Sequence, residues 1–162
     1  IEWILQAARD MKKPVIVDAS PARPGIERMF SGVEVLSPNE TETTALTGLP
    51  VETEEQTRVA AQALLKKSAA KYVVIKMGAR GAYVLGQGVD QMVPSFKIHA
   101  VDPTAAGDTF TGAMTLEYLR CGDILRAVRY GCAAGALAAT KLGAQPSLPT
   151  QLEVERFLAE RS

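Results

Sequence analysis

Three short apolar runs, separated by stretches of helical periodicity, constrain this chain more than any other feature: PVIVDA from Pro14, VEVLS from Val33 and YVVIKMG from Tyr72. Each reads as a buried strand. Strands alternating with helical patterns are the signature of an α/β domain with a largely parallel sheet. After KMGARG the pattern changes. The segment AYVLGQGVDQMVPSFKIHAVD carries short strands separated by glycine-containing turns, which predicts a hairpin or meander, a short antiparallel region at the end of the sheet. Its last part, FKIHAVD, alternates as a strand does, and His99 within it reads as a solvated or satisfied side chain, not a ligand.

The helices are marked by their caps and stripes. Thr53 and Gln56 have capping-box spacing, and Val59, Ala60, Ala63 and Leu64 follow on one face, so a helix is expected over residues 53–70. Ser37, Pro38 and Glu40 read as a second helix start, with proline in the first turn. From Ala105 the spacing of Phe110, Ala113, Met114, Glu117 and Tyr118 is helical, with Gly122 as the stop. Asp123 then caps a helix through Leu125, Val128, Cys132, Ala136 and Ala139. Its middle, GCAAGALAA, is so poor in bulk that either a neighbouring helix or a flat ligand can approach closely. GAQPSLP is a loop and residues 152–158 a final helix. The chain opens at Ile1, without methionine, where Ile4, Leu5, Ala8 and Met11 already recur at helical spacing; a longer polypeptide is expected.

With 162 residues and 47% hydrophobic content, the expectation is one α/β domain over residues 1–162. Basic and acidic residues are both 18, so no excess of positive charge points to nucleic acid. No apolar run has the length of a membrane span and the first residues carry charges, so a cytoplasmic location is expected. Cys121 and Cys132 form no C-x-x-C pair and lie away from the single histidine, which predicts two reduced core thiols.

The chemistry concentrates in VDPTAAGDTFTGA, residues 101–113. Two aspartates flank very small residues where a turn leads into a helix. The free amides and the dipole of such a helix start favour an anion, and small residues allow its close approach. Asp108 in the first turn can take a proton from a hydroxyl attacking a phosphoryl group while the amides neutralise charge on the transferred oxygens. The plainer alternative is that Asp108 only caps the helix. G-x-G-x-x-G does not follow the first strand, which argues against a dehydrogenase, and G-x-x-x-x-G-K-[ST] is absent, which argues against a P-loop enzyme.

DPTAAGD closely resembles the D-T-x-[GA]-A-G-D signature of the ribokinase, or PfkB-type, carbohydrate kinases. SPNETE at 37–42, KMGARG at 76–81, KLGAQPSLP at 141–149 and DASPAR at 18–23 match the same family in the same order, most closely its ribokinase branch. The resemblance implies a three-layer αβα ribokinase-like fold and ATP-dependent phosphorylation of a sugar hydroxyl. It makes Asp108 the catalytic base and the amides of Ala105, Ala106, Gly107 and Asp108 the anion hole. Asn39 and Glu42 would position Mg²⁺ and the phosphates, while Lys76, Gly78, Gly81 and Cys132 would lie against the nucleotide. Asp102, Thr104, Ala138, Lys141, Gly143 and Ser147 would surround a monovalent cation, usually potassium.

Four positions depart from the pattern: Pro103 stands for threonine, Ala105 for a frequent glycine, Cys132 for a frequent asparagine and Lys76 for a frequent threonine. Members of the family are roughly twice this length. The expectation is therefore the C-terminal, nucleotide-binding and catalytic half, without the N-terminal half and its lid, which supply the sugar site. Two functions stay open: a carbohydrate kinase of which this chain is the catalytic half, or a non-catalytic nucleotide-binding or interaction module of the same descent. Partners would be nucleotide and sugar, with a second copy or the missing N-terminal half as a protein partner.

Overall fold

The structure is a computed structural model, and it describes residues 2–23 and 25–161; Ile1, Pro24 and Ser162 lie outside the described residues. In chain order the elements are α1 (Glu2–Asp10), β1 (Ile16–Asp18), β2 (Val35–Ser37), α2 (Glu40–Thr47), α3 (Glu54–Ser68), β3 (Tyr72–Lys76), β4 (Gly81–Gly86), β5 (Val89–Pro94), α4 (Ala106–Cys121), α5 (Ile124–Ala139) and α6 (Gln151–Ala159). The five strands form one mixed sheet in sequential order, β1-β2-β3-β4-β5. β1 pairs parallel with β2, and β2 with β3, in the register Ile16↔Val35 and Val35↔Tyr72. Short connections join β3 to β4 and β4 to β5, and neighbouring strands so joined run antiparallel. No helix of the described residues is long and apolar enough to cross a membrane.

The chain divides into two compact units, residues 1–77 with 83–92 and residues 78–82 with 93–162. In the first, Leu36, Val73 and Ile75 project from one sheet face onto Leu46 of α2 and onto Ala60, Ala61 and Leu64 of α3. Leu64 is fully buried, so its truncation to alanine costs about 2–5 kcal/mol. The capping box of Thr53 and Gln56 is present as expected. The buried stripe of α3, however, is Thr57, Ala60, Ala61, Leu64 and Ser68; Val59 is 44% exposed. Hydrophobicity alone had drawn the face one residue off, because two polar residues, Thr57 and Ser68, return their hydroxyls to the backbone carbonyls of Thr53 and Leu64 and are buried at little cost.

Gly81 opens β4 at φ +110°, and a Cβ there would fall 2.0 Å from the carbonyl oxygen of Val93, so the hairpin itself requires glycine. In the second unit α4 and α5 pack closely. A Cβ on Gly131 would lie 2.9 Å from Phe110 O and one on Gly135 3.0 Å from Ala106 O, so the small residues of GCAAGALAA serve helix packing. A second cluster joins Tyr130, Ala133, Ala134 and Ala136 to Val154 and Phe157 of α6.

FKIHAVD forms no strand. Its alternation is nonetheless physical, since Phe96 and Ile98 pack against the α5–α6 cluster without a neighbouring strand to pair with. Cys132 is buried as expected, but Cys121 is exposed at the end of α4; both are free thiols.

Candidate functional site

In the first unit the site candidates come from the C-terminal ends of β1, β2 and β3. The sheet register pairs Asp18 with Ser37, and an isolated parallel bridge pairs Asn39 with Lys76. Paired residues share a face and alternate residues return to it, so Asp18, Ser37, Asn39 and Lys76 all lie on the face opposite Leu36, Val73 and Ile75. Lys76 Nζ meets Asp18 Oδ2 at 2.5 Å, with the lysine side chain 11% exposed. Ser37 is fully buried and its hydroxyl has no hydrogen-bond partner among the described residues.

Helix α2 does not start at Ser37. Its N-cap is Asn39, whose Oδ1 accepts the Glu42 N–H at 2.8 Å while Glu42 Oε2 accepts the Asn39 N–H at 2.7 Å. Ser37 belongs to β2 instead, because the parallel ladder carries extended backbone as far as Asn39 and only then releases it. The two residues that the resemblance assigns to Mg²⁺ and the phosphates thus form the capping box themselves. Each keeps one polar atom outside the box, Asn39 Nδ2 and Glu42 Oε1. Among the described residues no three acidic, histidine or cysteine side chains gather as a metal cage. A single remaining carboxylate oxygen fits Mg²⁺ held largely through waters and phosphate oxygens.

In the second unit α4 begins at Ala106, and Ala105 precedes it in the left-handed region at φ +60° with no side-chain cap. An alanine there stores roughly 1–2 kcal/mol of strain that a glycine would not. The Ala106 N–H donates to Pro103 O at 3.1 Å, and the helical ladder starts with Thr109 N–H to Ala105 O at 2.8 Å. The amides of Gly107 and Asp108 precede that ladder, and Asp108 stands exposed in the first turn. The loop before the helix is tied on both sides. Asp102 Oδ1 accepts the Thr104 N–H and Oδ2 the Gly143 N–H, each at 2.9 Å; the Thr104 side chain foremost, then the Gly143 and Thr104 amides, hold its carboxyl below the usual carboxylate range.

The other residues expected to surround a cation lie in the same unit, at the end of α5 and between α5 and α6. Ala138 O accepts the Lys141 N–H at 3.1 Å, Lys141 Nζ pairs with Glu153 at 3.1 Å, and the buried Ser147 gives its hydroxyl to Ala144 O at 2.6 Å. One carboxylate among backbone oxygens is a donor set suited to an ion of low charge, not to a divalent cage. Gly78 starts a short 3₁₀ turn at φ +54° with open space around it. Cys132 is 4% exposed, and burial pushes its thiol up to about 12.

A family model described as pfkB family carbohydrate kinase matches residues 1–151. The chain belongs to the pfkB family of carbohydrate kinases. Among pfkB relatives, the ribokinase of Haemophilus influenzae is 35% identical over 98% of this chain and 51% of its own length. A crystal structure of Thermotoga maritima ribokinase superposes with a TM-score of 0.85 at 36% identity, covering 96% of this chain and 52% of that one. The Arabidopsis thaliana ribokinase complexed with ribose and ATP gives 0.86 at 32% identity, covering 97% and 51%. The α/β ribokinase-like fold is thereby shown, and the chain spans about half the length of the curated relatives it matches.

Asp18 lies inside DASPAR, where the sequence gives it no evident role. Its pairing with Lys76 across β2 became visible only with the strand register, although an acidic residue closing one strand and a lysine closing another were both in plain view.

Proposed function

We propose that this chain is the nucleotide-binding and catalytic portion of an ATP-dependent sugar kinase of the ribokinase type. The observation that carries the reading is the start of α4, an uncapped helix N-terminus with an exposed carboxylate, Asp108, in its first turn. Asp108 would accept the proton of a sugar hydroxyl as that oxygen attacks the γ-phosphorus and the bond to the leaving ADP breaks. The amides of the 105–108 turn would take up charge developing on the transferred oxygens, with Gly107 and Asp108 the best placed because Ala106 already donates to Pro103. Asn39 and Glu42 would hold hydrated Mg²⁺, which when bound neutralises phosphate charge. Lys76, Gly78 and Gly81 would lie along the nucleotide; Cys132, 4% exposed, would back its site from within the protein. A potassium ion among Asp102, Thr104, Ala138, Lys141, Gly143 and Ser147 would stiffen the loop that carries the amides. ATP chemistry and two free thiols accord with a cytoplasmic location.

The second reading is a non-catalytic nucleotide-binding or interaction module of the same descent. Phosphoryl transfer depends on holding the acceptor in line, so a chain without the sugar-binding portion should bind Mg·ATP weakly and turn over no sugar. β1 ends the sheet order and Trp3, Ile4 and Met11 are 80%, 61% and 62% exposed; this surface would pair with the remaining half of the fold or with a second copy. Asp108→Asn in the full-length protein tests the catalytic reading, with kcat expected to fall at least ~10²-fold and Mg·ATP affinity to stay unchanged. Wild-type turnover in that variant would reject the base. Calorimetry with Mg·ATP, a coupled ribose assay and sedimentation of the 162-residue chain test the division of labour; ribose turnover by the isolated monomer would overturn it.

A further inference from the structure

We infer that Asp18 is a positioning residue for the nucleotide, acting through Lys76, whose ammonium it fixes on the Ser37 side of the sheet as the cation that meets the phosphates. The inference rests on the nucleotide reading given above and adds to it a residue and a division of roles.

The geometry leads there in three steps. Lys76 is the last residue of β3, its backbone N–H donates to Pro38 O at 2.8 Å, and its bridge partner is Asn39, so its side chain starts next to the capping box of α2. The side chain does not run out into water. It crosses β2 on the Ser37 side of the sheet and ends on Asp18 at 2.5 Å, keeping only 11% exposure. A lysine tail carries large rotamer freedom, and pairing its end with the Asp18 carboxylate, itself 26% exposed, removes most of it.

Charge explains why the arrangement is useful at a phosphate site. Asp18 and Glu42 place two carboxylates on this small polar strip, and Glu42 is only 9% exposed. Two uncompensated carboxylates would repel a nucleotide, whereas Lys76 brings the strip to a single negative charge, which Mg²⁺ can offset. The buried hydroxyl of Ser37, without a partner among the described residues, lies on the same face between the two members of the pair. It leaves the strip with unused hydrogen-bonding capacity where an oxygen-rich ligand is expected. A purely structural ion pair has no need of such a neighbour. As a stabilising device the pair is also a poor choice, because desolvating both charges costs about what their attraction returns.

The experiment is a double-mutant cycle read by Mg·ATP affinity and by melting temperature on the same samples, with the wild-type chain as reference. Lys76→Met should weaken Mg·ATP binding ~10-fold or more, Asp18→Asn by roughly 3–10-fold, and the double variant no further than Lys76→Met alone, since Asp18 works only through the lysine. Lys76→Arg should bind within about threefold of wild type, because the cation and its Asp18 contact are kept. Lys76→Met binding as tightly as wild type overturns the inference, and so does a double variant whose loss is the product of the two single losses. Losses in melting temperature without a change in affinity likewise make the pair merely structural and overturn it. If the wild-type chain takes up no Mg·ATP, the nucleotide reading fails as well, which separates the two failures.

Discussion

Asp102 holds Gly143, 41 residues further along the chain, by its backbone amide: Oδ2 accepts that N–H at 2.9 Å while Oδ1 accepts the N–H of Thr104 at 2.9 Å. One exposed-side carboxylate therefore ties the turn before α4 to the turn after α5. Asp102→Ala should raise amide hydrogen exchange at Thr104 and Gly143 about tenfold or more. The neighbouring amides of Val101 and Asp102 donate to Ala139 O instead and should keep their protection. Unchanged exchange at Gly143 would show that the tie does not form.

Glu153 repeats the capping-box logic at the start of α6. The Thr150 amide foremost, then its hydroxyl, then Lys141, hold the Glu153 carboxyl down at about 2 against an ordinary 4.5. A carboxyl whose folded value is lowered adds stability above the unfolded value and loses it as pH falls through the folded one. The difference in urea midpoint between wild type and Glu153→Gln should thus be full at pH 7, shrink below about 4.5 and vanish near 2. A difference that grows on acidification would contradict the assignment.

Glycine to alanine in a helix normally gains about 0.5–1 kcal/mol. At Gly112 of α4 the new methyl would meet nothing within 4 Å, so Gly112→Ala should be stabilising by that amount. At Gly131 of α5 it would come within 2.9 Å of Phe110 O and 3.1 Å of Met114 Cβ. Overpacking of about 1–3 kcal/mol should then outweigh the propensity gain and make Gly131→Ala destabilising. Denaturant titration of both variants checks the predicted opposition of sign.

The two cysteines should separate cleanly by reactivity. Burial lifts Cys132 to about 12 and hides it, whereas Cys121 is exposed. An aromatic disulfide reagent at mild alkaline pH should modify one thiol at once and the other only after unfolding. Cys121→Ser should abolish the fast phase; two fast thiols would contradict the packing of α5.

What the sequence revealed of all this follows the range of the forces involved. The strands near Val15, Val35 and Tyr72, the cap at Thr53 and the stop at Gly122 depend on neighbours within a few residues, and they stand where periodicity and capping rules put them. The start of α2 was misplaced by two residues because Ser37-Pro38 and Asn39-Glu42 offer equally good local caps, and the choice between them is made by β3 through Lys76. FKIHAVD alternates for the sake of Phe96 and Ile98, whose neighbours lie on α5 and α6, so alternation there signals packing without pairing. At the site, the DPTAAGD turn was legible because its small residues and carboxylates sit within one short run. The Asp18–Lys76 contact spans 58 residues and needed the register to appear.

Asn39 and Glu42 close the first turn of α2 on each other, so both are under selection for folding whatever else they do. A descendant of this lineage that abandoned phosphoryl transfer would still be obliged to keep them, because losing the box costs about 0.5–2 kcal/mol of a marginal total. Asp108 owes the fold no such debt, since it caps nothing and faces water. N-x-x-E can therefore outlast any ligand it holds, whereas Asp108, wherever it is kept, is kept for something other than the fold.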